Sequence, residues 1–324
     1  MKQIVVIGAG SWGLALTLQA ARTGAPVHLR ARNPASRLPN GAMPRLPAHP
    51  LPAQVTVSND MPENAGPENT GMVLVAVPTQ YLRSTLTQLE TTAPVVLCCK
   101  GIEPHSLRFP LDILHDIRPD LTGAVLSGPN FAHEIAAGLP AASVIASKEP
   151  ALARTLADRL GTLTFRLYDS TDTAGVQLGG AAKNVIAIAA GATIGAGLGE
   201  NARAALVTRG LTEIGRLAAA TGGLPATIAG LAGMGDLLLT CTGEASRNFR
   251  TGAALGSGLT LNETLATLGG VAEGVPTAGA LAELAHRKNV SVPVIDSVAS
   301  LVAGELTVKD AIARLLARPA GTEA

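Results

Sequence analysis

Aromatic side chains are nearly absent from this 324-residue chain, which has one Trp, two Tyr and four Phe. A nucleic-acid binder uses such rings as stacking platforms and a surplus of Lys and Arg for phosphates. The formal net charge is only +1, so a nucleic-acid partner is not expected on either count. Cysteine is scarce too. Cys98 and Cys99 are neighbours that cannot easily bridge to each other, and Cys241 completes no metal-ligand spacing. The adjacent pair reads as small hydrophobes on a buried strand. The six histidines are scattered without an HExxH pattern, so no metal is expected. Met1-Lys2-Gln3 runs directly into a strand, leaving no room for a signal peptide, which makes the cytoplasm the default compartment. One stretch, 174–198, has the length of a membrane span. It contains Gln177, Lys183, Asn184 and Thr193, and its apolar positions are mostly Ala and Gly rather than Leu, so it reads as a buried helix and not a span.

What is present is apolar and glycine-rich. Hydrophobic residues make up 47% and charged residues 15%, a balance that favours packed structure over disorder, and the length suits two domains. The first half alternates short apolar runs with helical patterns. Strands are expected at 4–7, 27–29, 55–57, 72–77, 95–99, 124–126 and 143–146, and a helix at 11–23 closed by Gly24. Runs without alternation are buried on both faces, as in a parallel sheet covered by helices. Between 33 and 67 repeated prolines (Pro34, Pro39, Pro44, Pro47, Pro50 and Pro52 among them) break the pattern, and a loop with a ligand-closing role is expected. Beyond about Asp172 the pattern is helical: the apolar stretch around Lys183, then 202–220, a capping signature Thr260-x-x-Glu263, 277–288, 293–303 and 307–317. The predicted class is α/β: a Rossmann-type doubly wound sheet over 1–172 followed by an all-helical domain over 173–324. The Lys183 helix falls at the junction, where clefts usually form.

Several constellations carry chemistry. Gly8-Ala9-Gly10-Ser11-Trp12-Gly13 follows a strand and opens a helix, the context in which GxGxxG binds a dinucleotide pyrophosphate. The second strand ends in Leu29-Arg30-Ala31-Arg32-Asn33, with no carboxylate for a ribose 2′-hydroxyl. Arg30 or Arg32 can instead pair with a 2′-phosphate, which favours NADPH over NADH; two solvated surface arginines are the alternative. Lys100-Gly101 and Ser127-Gly128-Pro129-Asn130 follow strand ends, where a parallel sheet places its ligand crevice, although ordinary turns fit as well. Lys183 lies in an apolar helix. It either reaches water by its long stem or is buried, in which case desolvation moves it toward proton exchange. Asp236 sits in a glycine turn as a functional carboxylate or an N-cap. Ser246-Arg247-Asn248 suits a phosphate at a helix N-terminus, or a surface cap.

In order, these pieces resemble the bacterial-type NAD(P)-dependent glycerol-3-phosphate dehydrogenases. The matching stretches are GAGSWG at 8–13, AVPTQ at 76–80, CKGIE at 99–103, SGPNFAHEIAAGLP at 127–140 and GVQLGGAAKNVIAIAAG at 175–191. NARAALVTRGLTEI at 201–214, GMGDLLLTCTGEASRN at 233–248 and VAEGVPTA at 271–278 follow. The resemblance implies reversible reduction of the small-molecule substrate dihydroxyacetone phosphate to sn-glycerol 3-phosphate, supplying glycerophospholipid synthesis, with NADPH or NADH as cofactor. It implies Lys183 as general acid/base, with Asn184 and Asp236 orienting the lysine or the substrate. Gly8, Gly10, Gly13, Ser11, Trp12 and Arg32 would hold the cofactor, and Lys100 would touch both ligands. Ala132 would lie beside the nicotinamide half, with Arg247, Val271 and Glu273 also near the cofactor. Gly128, Asn130, Asp236, Ser246, Arg247 and Asn248 would line the substrate pocket. Two departures stand out: Asn130 where the family often has Thr or Ser, and Arg45-Leu46-Pro47 in place of a tyrosine-leucine-proline motif.

Two other readings remain open from sequence. A two-domain hydroxyacid or ketopantoate-type reductase would use lysine similarly but recognise a carboxylate. A non-catalytic NADPH-binding sensor would need no proton donor. The apolar helical half is also suited to a homodimer.

Overall fold

The computed structural model describes residues 1–62, 65–268 and 272–317. The chain divides into two compact units: Met1–Lys100 with Arg108–Gln177, and Gly101–Leu107 with Leu178–Ala324.

The first unit is built on one sheet of eight strands: β1 Gln3–Ile7, β2 Val27–Arg30, β3 Val55–Ser58, β4 Thr70–Val75, β5 Val95–Leu97, β6 Gly123–Ser127, β7 Ala141–Ala146 and β8 Phe165–Ser170. Their order is β3-β2-β1-β4-β5-β6-β7-β8, so the winding reverses between β1 and β4. That reversal opens a crevice beyond the carboxyl ends of the two strands. Five helices accompany the sheet: α1 Ser11–Arg22, α2 Leu82–Thr87, α3 Pro110–Ile117, α4 Ala132–Ala137 and α5 Pro150–Leu160. Ile4, Val6, Leu29, Met72, Leu74 and Val96 form one core with Leu14 and Leu18 of α1, Ile135 of α4 and Leu156 and Leu160 of α5. Val5, Val73, Val75 and Val95 are fully buried as well. Burial on both faces is why these strands read as continuous apolar runs.

Two features differ from the sequence reading. β7 runs antiparallel to β6, because the short α4 and its left-handed cap at Gly138 (φ 77°) return the chain beside β6 without a full crossover. β8 is an additional edge strand, parallel to β7. Its sequence FRLYDS has exposed and half-buried side chains after the buried Phe165, so it lacks the apolar run that marks the central strands. The cysteine expectation is also adjusted, since β5 stops at Leu97; Cys98 is buried just beyond it and Cys99 is half-buried.

In the second unit the helices are α6 Thr173–Gly195, whose first turn belongs to the first unit, α7 Gly199–Ala220, α8 Pro225–Ile228, α9 Asp236–Cys241, α10 Arg247–Gly256, α11 Leu261–Leu268, α12 Gly274–Arg287, α13 Pro293–Val302 and α14 Val308–Leu316. α6 is long and apolar enough to cross a membrane, but 89% of its most apolar window is covered by protein. Glycine decides how closely α6 is approached. A Cβ at Gly191 or Gly195 would lie 1.9 or 2.0 Å from the carbonyl oxygens of Phe249 and Ala253. Gly252 and Gly256 of α10 stand equally close to Ile188 and Ala192. Residues four apart share a helix face, so these glycines form a seam in which two backbones touch.

Candidate active site

The cofactor signature occupies the switch point of the sheet. Gly8 follows β1 with φ 108°, and a Cβ there would come 2.9 Å from the carbonyl oxygen of Ala76, which follows β4. A Cβ at Gly13 would sit 1.8 Å from the Gly8 carbonyl oxygen, whereas one at Gly10 would meet nothing within 4 Å. The three glycines thus divide their roles as a pyrophosphate cradle requires: a turn, an open backbone face and a close helix–strand contact. The cradle fits a dinucleotide. Ser11 is the first residue of α1, and its Oγ donates to the Arg45 carbonyl at 3.2 Å. Trp12 is half-buried against the core. Arg30 Nε donates to the Asn59 carbonyl at 3.0 Å, while Arg32 is exposed and makes no hydrogen bond or ion pair with a described residue. Arg32 is therefore the freer of the two arginines offered for a 2′-phosphate.

Further along the same edge, Lys100 Nζ donates to the Gly128 carbonyl at 2.9 Å, which joins two of the sequence candidates. Gly128 has φ 152°, and a Cβ would strike Ser143 at 2.7 Å, so no other residue fits. Asn130 and Ser143 Oγ are hydrogen-bonded at 2.7 Å. Ala132 opens α4 and packs half-buried against the core.

The second unit holds the lysine. Lys183 is 8% exposed, so its stem does not carry the ammonium into open water. Nor is it buried alone: Nζ donates to Asp236 Oδ1 at 2.7 Å and to Thr240 Oγ1 at 3.0 Å. The premise of a lone desolvated lysine is thereby corrected, because a fully buried carboxylate compensates its charge. Asp236 is not an N-cap. That place falls to Gly235, and Asp236 is the first residue of α9.

Local sequence explains this pairing. Gly179 lies one turn before Lys183 on the same face of α6. A Cβ at Gly179 would stand 2.5 Å from the Ala232 carbonyl oxygen, so glycine admits the π-helical turn Leu231–Gly235 that feeds Asp236. Thr240 follows Asp236 by four residues, on the same face of α9. Its hydroxyl donates to the Asp236 carbonyl at 2.6 Å, which leaves its lone pairs toward Lys183. Thr240 was missed in the sequence, although the i, i+4 spacing from Asp236 was a usable signal. Cys241, beside it, has its thiol pushed up to about 12 by burial and stays protonated.

Asn184, next to Lys183 in the chain, belongs to a second buried set of hydrogen bonds. Asn248 Nδ2 donates to Asn184 Oδ1 at 2.9 Å, and Asn248 Oδ1 accepts from the Gly274 amide at 3.0 Å. The glycine seam between α6 and α10 ends in this amide pair. Ser246 is the N-cap of α10 and accepts from the Phe249 amide at 3.2 Å, so the capping alternative holds for its hydroxyl. Arg247 is exposed in the first turn of α10, and Glu273 precedes the amide-bonded Gly274 at the start of α12. Val271 lies outside the described residues. Among the described residues no group of three His, Cys, Asp or Glu is placed to hold a metal ion.

The family model for the NAD-dependent glycerol-3-phosphate dehydrogenase N-terminus matches residues 3–153, and that for the C-terminus matches 172–313. The glycerol-3-phosphate dehydrogenase (NAD(P)+) of Gluconobacter oxydans is 52% identical over 98% of this chain and 97% of its own. The crystal structure of glycerol-3-phosphate dehydrogenase from Coxiella burnetii superposes with a TM-score of 0.91 at 36% identity, covering 98% of this chain and 99% of that one. A ketopantoate reductase from Ralstonia eutropha shares only the fold, with a TM-score of 0.57 at 17% identity over 96% of this chain and 98% of that one. The chain belongs to the NAD(P)-dependent glycerol-3-phosphate dehydrogenase family.

Proposed function

We propose that this protein reduces dihydroxyacetone phosphate to sn-glycerol 3-phosphate, reversibly, with Lys183 as the general acid and base. The observation that carries the reading is the buried Lys183–Asp236–Thr240 cluster within a chain of this family. A bound NAD(P)H supplies the hydride. Lys183 Nζ donates a proton to the carbonyl oxygen in reduction and takes it back in oxidation. Asp236 and Thr240 hold the ammonium in one orientation, so no side-chain search precedes transfer. Asn184 and Asn248, fixed against each other, present amide groups to the substrate hydroxyls, and Arg247 is the bidentate donor for its phosphate. In the first unit Lys100, Gly128 and Asn130 serve the ligands, and Arg32 meets a 2′-phosphate, which favours NADPH.

The finer assignments of partner and compartment follow the same reading: a homodimer acting in the cytoplasm. Leu224, Met234 and Leu238 of the second unit, each about half exposed, support a self-association surface. Light scattering on the purified protein checks it, with a dimer expected and a monomer contradicting it.

The test of function is loss of reduced-nicotinamide absorbance with dihydroxyacetone phosphate, run separately with NADPH and NADH and repeated with ketopantoate. Rapid oxidation with the phosphate ester alone is expected. Oxidation with the carboxylate instead would refute the reading.

A further inference from the structure

The charge of this chain is unevenly placed. Its totals are nearly balanced, 25 Lys and Arg against 24 Asp and Glu, yet the first 59 residues contain no Asp or Glu. They contain Lys2, Arg22, Arg30, Arg32, Arg37 and Arg45. Three of these are bound to backbone carbonyls: Lys2 to Pro67, Arg22 to Ile135 and Arg30 to Asn59. Arg32, Arg37 and Arg45 are exposed, and their side chains make no hydrogen bond or ion pair with a described residue.

Of the three, Arg45 is tied by its backbone to the nucleotide turn. The segment 33–54 is a loop, but not a loose one. Ala42, Met43 and Leu46 are buried, with Met43 and Leu46 in the core beneath α1. Asn40 Nδ2 donates to the Pro47 carbonyl, its Oδ1 accepts from the Ala42 amide, and an isolated bridge joins Ala42 to Pro50. Position 45 is thus held from both sides, and its carbonyl accepts from Ser11 Oγ at 3.2 Å. Ser11 is the residue whose helix turns its free amides toward a pyrophosphate.

We propose that Arg45 is a cofactor-binding residue that contacts the pyrophosphate from the proline-rich loop. The inference rests on the dinucleotide reading of the GAGSWG turn, and deepens it with a second arm. The helix amides and the open face at Gly10 approach the diphosphate from one side. The backbone of Arg45 stands one hydrogen bond from Ser11, and its exposed guanidinium would supply the full positive charge that neutral amides lack, with the paired donors that suit phosphate oxygens. Arg32, at the end of β2, is left for the 2′-phosphate. Neither arginine side chain makes an ion pair with a described residue.

The assignment predicts different signatures for the two arginines. Cofactor affinity is measured without substrate, from NADPH and NADH fluorescence, for the wild type, Arg45→Gln and Arg32→Gln. Because no turnover is read, failure of dihydroxyacetone phosphate reduction would leave this test intact. Arg45→Gln is expected to raise Kd for both cofactors together, by about five- to tenfold, with an unchanged melting temperature for the free protein. It should also flatten the salt dependence of Kd for each. Arg32→Gln is expected to weaken NADPH only. Unchanged affinities in Arg45→Gln, a loss confined to NADPH, or a lowered melting temperature before ligand is added would each overturn the proposal. The last would show that the residue holds the loop and not the ligand.

Discussion

In the first unit the side chains of Arg32 and Arg45 stand exposed without a partner among the described residues, whereas in the second unit two buried pairs, Lys183 with Asp236 and Asn184 with Asn248, are hydrogen-bonded. Solvent explains the contrast. An exposed guanidinium is satisfied by water until an anion displaces it, at little cost to the fold. A buried ammonium must find its counter-charge within the chain, and removing one member of such a pair costs about 3–5 kcal/mol. The cofactor side is therefore completed by the ligand. The lysine side is organised before any ligand arrives, as a proton-transfer site requires.

Gly13→Ala is the most damaging single change on the cofactor side. The added Cβ falls 1.8 Å from the Gly8 carbonyl, so the turn must open. Kd for NADPH should rise by about a hundredfold, read by cofactor fluorescence, while the second unit's network is untouched. Thr240→Val tests the other side with almost no change of shape. It removes the oxygen that accepts from Lys183 and leaves the Asp236 pair, so kcat should fall by about tenfold at unchanged NADPH affinity. Equal losses of kcat and cofactor affinity in either variant would dissolve the contrast.

The contrast also marks what could be read in the sequence. The nucleotide turn is local: six consecutive residues encode strand, turn and helix start, so each glycine's role was legible. The buried pairs of the second unit are not local. Lys183 and Asp236 are 53 positions apart and Asn184 and Asn248 are 64 apart. What joins them is the absence of a side chain at Gly179 and along Gly191, Gly195, Gly252 and Gly256, and glycine in a helix announces no partner. Lys183 was therefore recognisable as unusual from its own segment, but Asp236 was tied to it only through the family resemblance, and the contact with Thr240 was not foreseen at all. The same limit hid β8, where an edge strand needs no apolar run, and the reversed direction of β7.

Glu213 sharpens the comparison with a smaller effect, because it is a buried charge outside the lysine network. It lies on α7, 2% exposed, and accepts from the Val294 and Ile295 amides at 2.7 and 3.1 Å where α13 begins. Burial pushes its carboxyl up to about 7; those two amides and Arg216 oppose the rise, and Asp296 adds to it. The folded protein then holds this proton more tightly than the unfolded chain. Its contribution to stability is full below about 4.5 and is lost as pH rises through about 7. The loss amounts to about 3 kcal/mol. Denaturation at a series of pH values should show the wild type losing stability relative to Glu213→Gln across that window, without a step in NADPH affinity. A parallel pair of curves would exclude the assignment.

The separation of cofactor binding from proton transfer is tested most directly by Lys183→Met, with turnover of dihydroxyacetone phosphate and NADPH affinity measured on the same preparation. The expected result is a kcat lowered by about a thousandfold or more, with Kd for NADPH within about twofold of the wild type. Retained turnover, or cofactor affinity lost along with it, would contradict the account.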